Sequence, residues 1–421
     1  MTPQADITRG DLRLAPFDTE RARSLCLFVA LATLVFFAGY VYGALDQARA
    51  EGNPAVANDF RVFWAAGKLA LAGTPLDVFD NAKLAAVHAT ETHRWMPWLY
   101  PPGYLLAVTP LGALPYAVGW IGFSLMSLVV LGWAYRPFVA TVPALWLGLT
   151  LAPTCLAALF TGQNSLLWLA AMLATLAALR AERWVLAGII IGLMTLKPQL
   201  GLLIPVALLA MGAWRTIATA TATAAVLAIG PTLIYGADYW WKLKDMMAAH
   251  GARVFQAIDS VPAMVSPFSL LTSLGLNPAL ALNLQWALTL ALIVIVFLCW
   301  RTPRCSFDLK AAVLLMATAL ATPYFWVYEN ACLAAVALFM LRAGVLDGRP
   351  AGLALFGLLC AGSGLTTVVN TIFASENTIP ARYLITPVML FAMFLCARAV
   401  LRDMQASTPA PETRARPEPE Q

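Results

Sequence analysis

Charge is in short supply in this chain. Asp, Glu, Lys and Arg make up 12% of its 421 residues, about half the share in an average soluble domain. With a mean hydropathy of +0.75, that shortage excludes a soluble globular domain and points to an all-α, polytopic transmembrane helical bundle. The formal charge of +5 is too small for this length to argue for nucleic acid. Cysteine is sparse and unpatterned. Cys26, Cys155, Cys299, Cys332, Cys360 and Cys396 lie in or beside apolar runs without CxxC spacing, so they read as small core residues rather than a disulfide or metal framework. There is no internal repeat, no phosphate-binding glycine loop and no stretch that reads as a soluble domain.

What is present is a series of apolar runs separated by charge or proline. They fall at about 24–45, 117–135, 139–160, 164–179, 184–196, 199–212, 216–235, 279–300, 311–322, 331–341, 351–371 and 382–400, which predicts about twelve spans. Several are shorter than the roughly 20 residues a crossing needs, so either the runs extend beyond these bounds or the helices are broken and line a cavity. The first run follows Arg9, Arg13, Arg21 and Arg23 but is too long for a signal-peptide core, so it reads as a retained anchor. Residues 1–23 are then a cytoplasmic segment, 24–402 a transmembrane catalytic domain, and 403–421, rich in Pro, Glu and Arg, a disordered cytoplasmic tail.

Alternating the runs from a cytoplasmic N-terminus places Arg136, Arg180, Arg183, Arg215, Arg301, Arg304, Lys310, Arg342, Arg349, Arg398 and Arg402 on the cytoplasmic side, as the positive-inside rule asks. Two long segments, about 46–116 and 236–278, fall outside. The first carries short helical patterns from Phe60 to Leu71 and from Asn81 to Thr92, and with Trp95, Trp98 and Tyr100 it is expected to lie in the headgroup region.

The distinctive polar residues land on that same outer side. They are Asp59 and Arg61 after the first span, Tyr100 before Pro101-Pro102, Gln163-Asn164, Lys197 before Pro198-Gln199, and Tyr328-Glu329. An outward-facing site has no access to cytoplasmic nucleotide sugars, so an energised substrate must arrive through the membrane, and a sugar on polyprenyl phosphate meets that need. Such chemistry wants a base for an acceptor hydroxyl and cations for the departing phosphate. Asp59 is the candidate base. Lys197, Arg61 and Arg382 are candidate phosphate ligands.

These motifs resemble glycosyltransferase family 87. The resemblance rests on Asp59-Phe60-x-x-Phe63-Trp64-x-Ala66-Gly67 with Gly73-Thr74-Pro75, Tyr100-Pro101-Pro102, Gly162-Gln163-Asn164, Gly192-Leu193-Met194-Thr195-Leu196-Lys197-Pro198-Gln199, and Thr322-Pro323-Tyr324, in that order, and runs from about residue 25 to 400. It implies a GT-C type bundle in a bacterial inner (plasma) membrane. It also implies a polyprenyl-phosphate-linked sugar as donor, with mannose the family average, and a lipid or glycan as acceptor. The first-loop aspartate, here Asp59, would be the base of a single inverting displacement without metal or soluble cofactor. Some relatives carry a His-His pair where this chain has Tyr328-Glu329, so roles tied to those histidines do not transfer.

Plainer readings stand beside these. Asp59 and Asn164 are good helix N-caps, Lys197 can be a snorkelling lysine, and Arg382 an interface anchor. Arg61 can pair with a nearby acid. His88, Glu91 and His93 read as a solvated surface, since i, i+5 spacing splits the two rings between helix faces. The rival function is a transporter or flippase of lipid-linked sugars, which inverted repeats would favour. A non-catalytic assembly partner would scatter its polar residues over both faces.

Overall fold

The computed structural model describes residues 10–53, 55–56, 58–88, 96–256, 261–373 and 379–405. Its regular structure is helical throughout, and an isolated bridge between Met264 and Trp326 is the nearest approach to strand pairing among the described residues. Glu91, His93, Trp95 and nearly all of the C-terminal tail lie outside the described residues.

The first apolar run becomes a single helix, Glu20–Ala50, of 31 residues. Thr19 caps its start by accepting from the Ala22 amide at 3.4 Å. At about 46 Å it exceeds the roughly 30 Å hydrocarbon core of a bilayer, long enough for its polar last turns to stand clear of lipid. Prolines the sequence uses as breaks become first residues of helices, as at Pro102–Val108, Pro143–Thr150, Pro278–Arg301 and Pro350–Ile372, where the missing N–H costs nothing.

Among the described residues, seven helices are long and apolar enough to cross a membrane: Glu20–Ala50, Tyr116–Val139, Pro143–Thr161, Trp214–Tyr235, Pro278–Arg301, Pro350–Ile372 and Arg382–Gln405. The other five apolar runs are helical but short. Ser165–Arg180, Trp184–Met194 and Cys332–Ala343 have 16, 11 and 12 residues, about 24, 17 and 18 Å long. Phe307–Ala321 has 15, and Ile204–Met211 follows a 3-10 turn at Pro198–Gly201. Each is cut by a break the sequence displays, at Gly162-Gln163, Lys197-Pro198 or Thr322-Pro323.

Burial sorts the helices. Phe307–Ala321 and Cys332–Ala343 are buried on almost every side, which is why they are apolar all round. Pro278–Arg301, Pro350–Ile372 and Arg382–Gln405 pack against this pair, and the long helices turn residues such as Val226, Leu233, Leu290 and Phe394 outward. Trp184–Met194 lies flush on Trp214–Tyr235 through Gly188 and Gly192, a small-xxx-small contact. A Cβ added to Gly188 would come within 2.7 Å of both the Thr216 carbonyl and Thr219.

Two expectations need correction. The helix Phe60–Leu71, expected to lie along a headgroup layer, is enclosed by the rest of the protein. Phe60, Arg61, Val62, Phe63, Trp64, Ala65 and Ala66 are all buried, because Gly67 lets its backbone meet the 3-10 turn Thr109–Ala113, where a Cβ would sit 2.7 Å from the Val108 carbonyl. Trp98, expected in an interfacial belt, is fully buried and donates from Nε1 to Tyr239 Oη at 2.6 Å.

The two ends of the bundle differ in chemistry. Arg342, counted above among short basic loops, is 1% exposed. It binds Asp308 at 3.1 Å and Asp11 at 2.6 Å, and donates to the Phe138 carbonyl at 2.8 Å. The N-terminal segment is thereby tied to the last turn of Tyr116–Val139. At that helix's other end, Tyr116 Oη donates to Asn58 Oδ1 at 2.6 Å. The Asp59 loop and the Arg342 cluster therefore stand a full helix length apart.

Gly192→Leu is expected to force Trp184–Met194 off its neighbour and to destabilise the bundle by roughly 1–3 kcal/mol. Thermal unfolding in nanodiscs checks this, and an unchanged midpoint would contradict the contact.

Candidate active site

Three chain breaks and one loop deliver the polar residues. The loop brings Asp59, fixed through its neighbour Asn58, whose Nδ2 donates to the Phe160 carbonyl at 3.2 Å. The first break follows Leu156–Thr161, where Gly162 turns the chain at φ +65°. A side chain there would be strained and its Cβ would strike Phe60 at 2.5 Å. The turn sets Gln163 and Asn164 at the head of Ser165–Arg180. The second break ends Trp184–Met194 and presents Lys197. The third is the 3-10 turn Val327–Ala331, held by backbone bonds from Val265 to Phe325 and from Val327 to Ala263.

These pieces meet in one hydrogen-bonded cluster. Gln163 Nε2 donates to Asp59 Oδ2 at 2.9 Å, and Tyr100 Oη donates to Gln163 Oε1 at 3.4 Å. Lys197 Nζ donates to Asn164 Oδ1 at 3.0 Å and to Ser165 Oγ at 3.4 Å, and pairs with Glu329 Oε1 at 3.1 Å. Nζ also lies 5.4 Å from the centroid of the Tyr328 ring. Glu329 Oε2 accepts from the Trp326 amide at 3.1 Å. Two carboxylates and two cations, counting Arg61, balance the formal charge.

The capping readings fail. Asp59 and Asn164 both occupy N-cap positions, and neither side chain makes a cap bond. Their oxygens accept from Gln163 and Lys197 instead. Lys197 is no snorkelling lysine either, being 5% exposed.

Arg61 sits at the edge of the cluster. It is buried, and its Nε and Nη2 approach Met96 Sδ at 3.1 and 2.6 Å. His88 is buried rather than solvated, and burial, then the Arg61 charge, push its pKa down to about 4. Arg382 stands a layer back. It donates to the Val261 carbonyl at 2.9 Å and the Ser269 carbonyl at 3.4 Å, bracing the segment that pairs with residues 325–327. Among the described residues, no three His, Cys, Asp or Glu side chains converge as metal ligands.

The structure adds residues that the sequence reading did not single out. Ser165 adjoins Gln163-Asn164 and was within reach of the same motif. Tyr104 lies one turn beyond Tyr100 and stacks on it with centroids 4.4 Å apart. Tyr239 Oη donates to the Tyr100 carbonyl at 3.1 Å, a contact across 139 residues with no local signal.

One groove runs to the cluster and a second passes beside the Asp59 loop. One, of about 380 Å³, is lined by Leu111, Phe123, Leu167 and Trp168 and ends on Asn164 and Lys197. The other, of about 840 Å³, follows the first helix from Ala32 to Glu51 and passes Tyr40 and Val56; Tyr40 stacks on Phe160 at 3.9 Å beside the Asp59 loop.

Burial raises the Asp59 pKa above its ordinary value, opposed by the Gln163 hydrogen bond and then by the Arg61 and Lys197 charges. A carboxylate so placed is a better proton acceptor than a free aspartate.

A family model described as glycosyltransferase family 87 matches residues 98–323, a little over half of the chain. That stretch includes Tyr100, Gln163, Asn164 and Lys197; Asp59, Arg61, Tyr328, Glu329 and Arg382 lie beyond its ends. No curated protein and no solved structure matches the chain.

Isotope-edited infrared titration should find the Asp59 carboxyl ionising above the ordinary value of about 4, and higher still in Gln163→Met, which removes a bond to the charged form. An apparent pKa at or below the ordinary value would contradict this electrostatic account.

Proposed function

The chain belongs to glycosyltransferase family 87, and from that premise we propose that it moves a hexose, mannose-like in the family average, from a polyprenyl-phosphate donor to a lipid or glycan acceptor. The reaction takes place on the outer face of a bacterial inner membrane, in a GT-C type bundle of about twelve crossings with both termini cytoplasmic. No metal or soluble cofactor takes part. The observation that carries this reading is the apolar groove ending on Lys197 and Asn164, with Asp59 one hydrogen-bonded residue away through Gln163.

In the proposed step Asp59 takes the proton of an acceptor hydroxyl. The freed oxygen pair forms the new bond to the anomeric carbon while the bond from that carbon to the phosphate oxygen breaks. The electron pair leaves with the phosphate, and the configuration inverts. The isoprenoid chain lies in the groove beside Trp168, which brings its phosphate to Lys197. An ammonium group has three donors, and Nζ already faces Glu329, Asn164 and Ser165. A phosphate oxygen takes the place of the longest of these, Ser165 Oγ. Gln163, held by Tyr100, keeps the carboxylate aimed across this gap. The larger groove, passing Tyr40 and Val56 on the Asp59 side, supports a lipid acceptor entering opposite the donor.

The short helices support the same reading. Ser165–Arg180 begins at the cluster and is only about 24 Å long, so the cluster lies below the far surface of the bundle rather than on it. A recessed site excludes water, which would otherwise take the sugar.

Purified protein given labelled polyprenyl-phosphate sugar is expected to release polyprenyl phosphate only when acceptor is present. Asp59→Asn should lower turnover by about 10²–10⁴-fold with donor affinity kept. Retained turnover in that variant would sink the base assignment, and movement of intact donor across vesicles without bond transfer would favour a flippase.

A further inference from the structure

A third cavity lies at the opposite end of the bundle, where the proposed reaction makes no use of it. It is a cleft of about 480 Å³ between the ends of Tyr116–Val139 and Ser165–Arg180 and the start of Trp184–Met194. Arg136, Arg180 and Arg183 line it together with Trp133, Leu186 and Ile190, and none of its lining residues is acidic. We propose that this cleft binds the phosphate headgroup of an anionic membrane lipid from the leaflet opposite the Asp59 cluster.

The charge bias of short loops accounts for exposed arginines, but it does not account for Arg180. That side chain is half-buried against the Phe138 ring, 4.4 Å from its centroid. Its Nη2 donates to the Pro137 carbonyl at 2.5 Å, while Nη1 is enclosed with no hydrogen-bond partner. An unsatisfied guanidinium N–H is costly, and the Arg180 side chain is one of those that line the cleft. The acids whose charges act on Arg180, Asp11 and Asp308, are engaged by Arg342. Glu182, in the adjoining turn, is exposed and points its backbone into the left-handed region at φ 56°.

Further features favour an anion here. Trp184–Met194 begins at Arg183 without a side-chain cap, so its first amides and its positive dipole end adjoin the cleft. The occupant is amphipathic because the walls are. Trp133 is 66% and Leu186 42% exposed, an apolar shelf at the rim on which the first methylenes of an acyl chain can lie. A soluble anion would use the arginines and leave that shelf bare. Basic pockets between membrane helices that bind lipid headgroups have this composition.

The test is native mass spectrometry of the full chain in neutral detergent with equimolar phosphatidylglycerol and phosphatidylcholine. Arg136 and Arg183 are exposed, so Arg136→Gln and Arg183→Gln leave the fold intact. Each should weaken phosphatidylglycerol binding roughly fivefold relative to phosphatidylcholine. The pair Arg349→Gln and Arg402→Gln, outside the cleft, should leave it unchanged. Equal binding of the two lipids, or an equal loss in the Arg349 and Arg402 variants, would overturn the proposal. Displacement of the lipid by millimolar inorganic phosphate would also overturn it, by assigning the cleft to a soluble anion.

Discussion

A lysine and a glutamate, both nearly sealed from solvent, hold this site together. The side chains of Lys197 and Glu329 are 6% and 2% exposed and 3.1 Å apart. Burying either charge alone is prohibitive, so each fixes where the other's stretch of chain must stop. Lys197 also reaches Asn164 and Ser165, and Glu329 reaches back to the Trp326 amide. One ion pair thus locks three helix breaks to each other. Gln163, next to Asn164, hands that order on to Asp59.

The breaks matter because of where they fall in the helices. Had Ser165–Arg180 and Trp184–Met194 run the full depth of a bilayer, their polar ends would lie at the surface with the other loops. Stopped at 16 and 11 residues, they leave a recess that polar side chains fill and that an apolar groove enters. Irregular backbone at that depth is tolerated because its groups bond to other protein groups. The Thr154 hydroxyl donating to the Asn330 carbonyl at 3.0 Å is one such bond. In the proposed reaction the same recess keeps water from the sugar.

Much of this was legible in the sequence, for identifiable reasons. The helix starting at Phe60 and ending at Leu71 was readable from its periodicity and comes out with those bounds. The apolar runs all became helices, since only a helix satisfies the backbone of a single segment in lipid. The meeting of Asp59, Gln163, Asn164, Lys197, Tyr328, Glu329 and Tyr100 followed from their common side. What stayed hidden was packing. A buried Trp98 and a buried Phe60–Leu71 helix look interfacial until Gly67 and Tyr239 are seen to draw them inward. Arg382 looked like a phosphate ligand, yet its hydrogen bonds to Val261 and Ser269 put it a layer behind the cluster. Arg342 looked like a surface charge because its partners, Asp11 and Asp308, are 331 and 34 residues away.

The most direct measurement is a double-mutant cycle on the buried pair, reading unfolding free energy and sugar transfer together. Lys197→Met and Glu329→Met should each cost about 3–5 kcal/mol, because each strands a buried charge, and the double variant should regain most of that loss. Transfer should stay abolished in all three, since the double variant restores packing without a cation beside Asn164. Additive losses of stability, or a double variant that still transfers sugar, would contradict the claim that this ion pair both assembles the site and serves it.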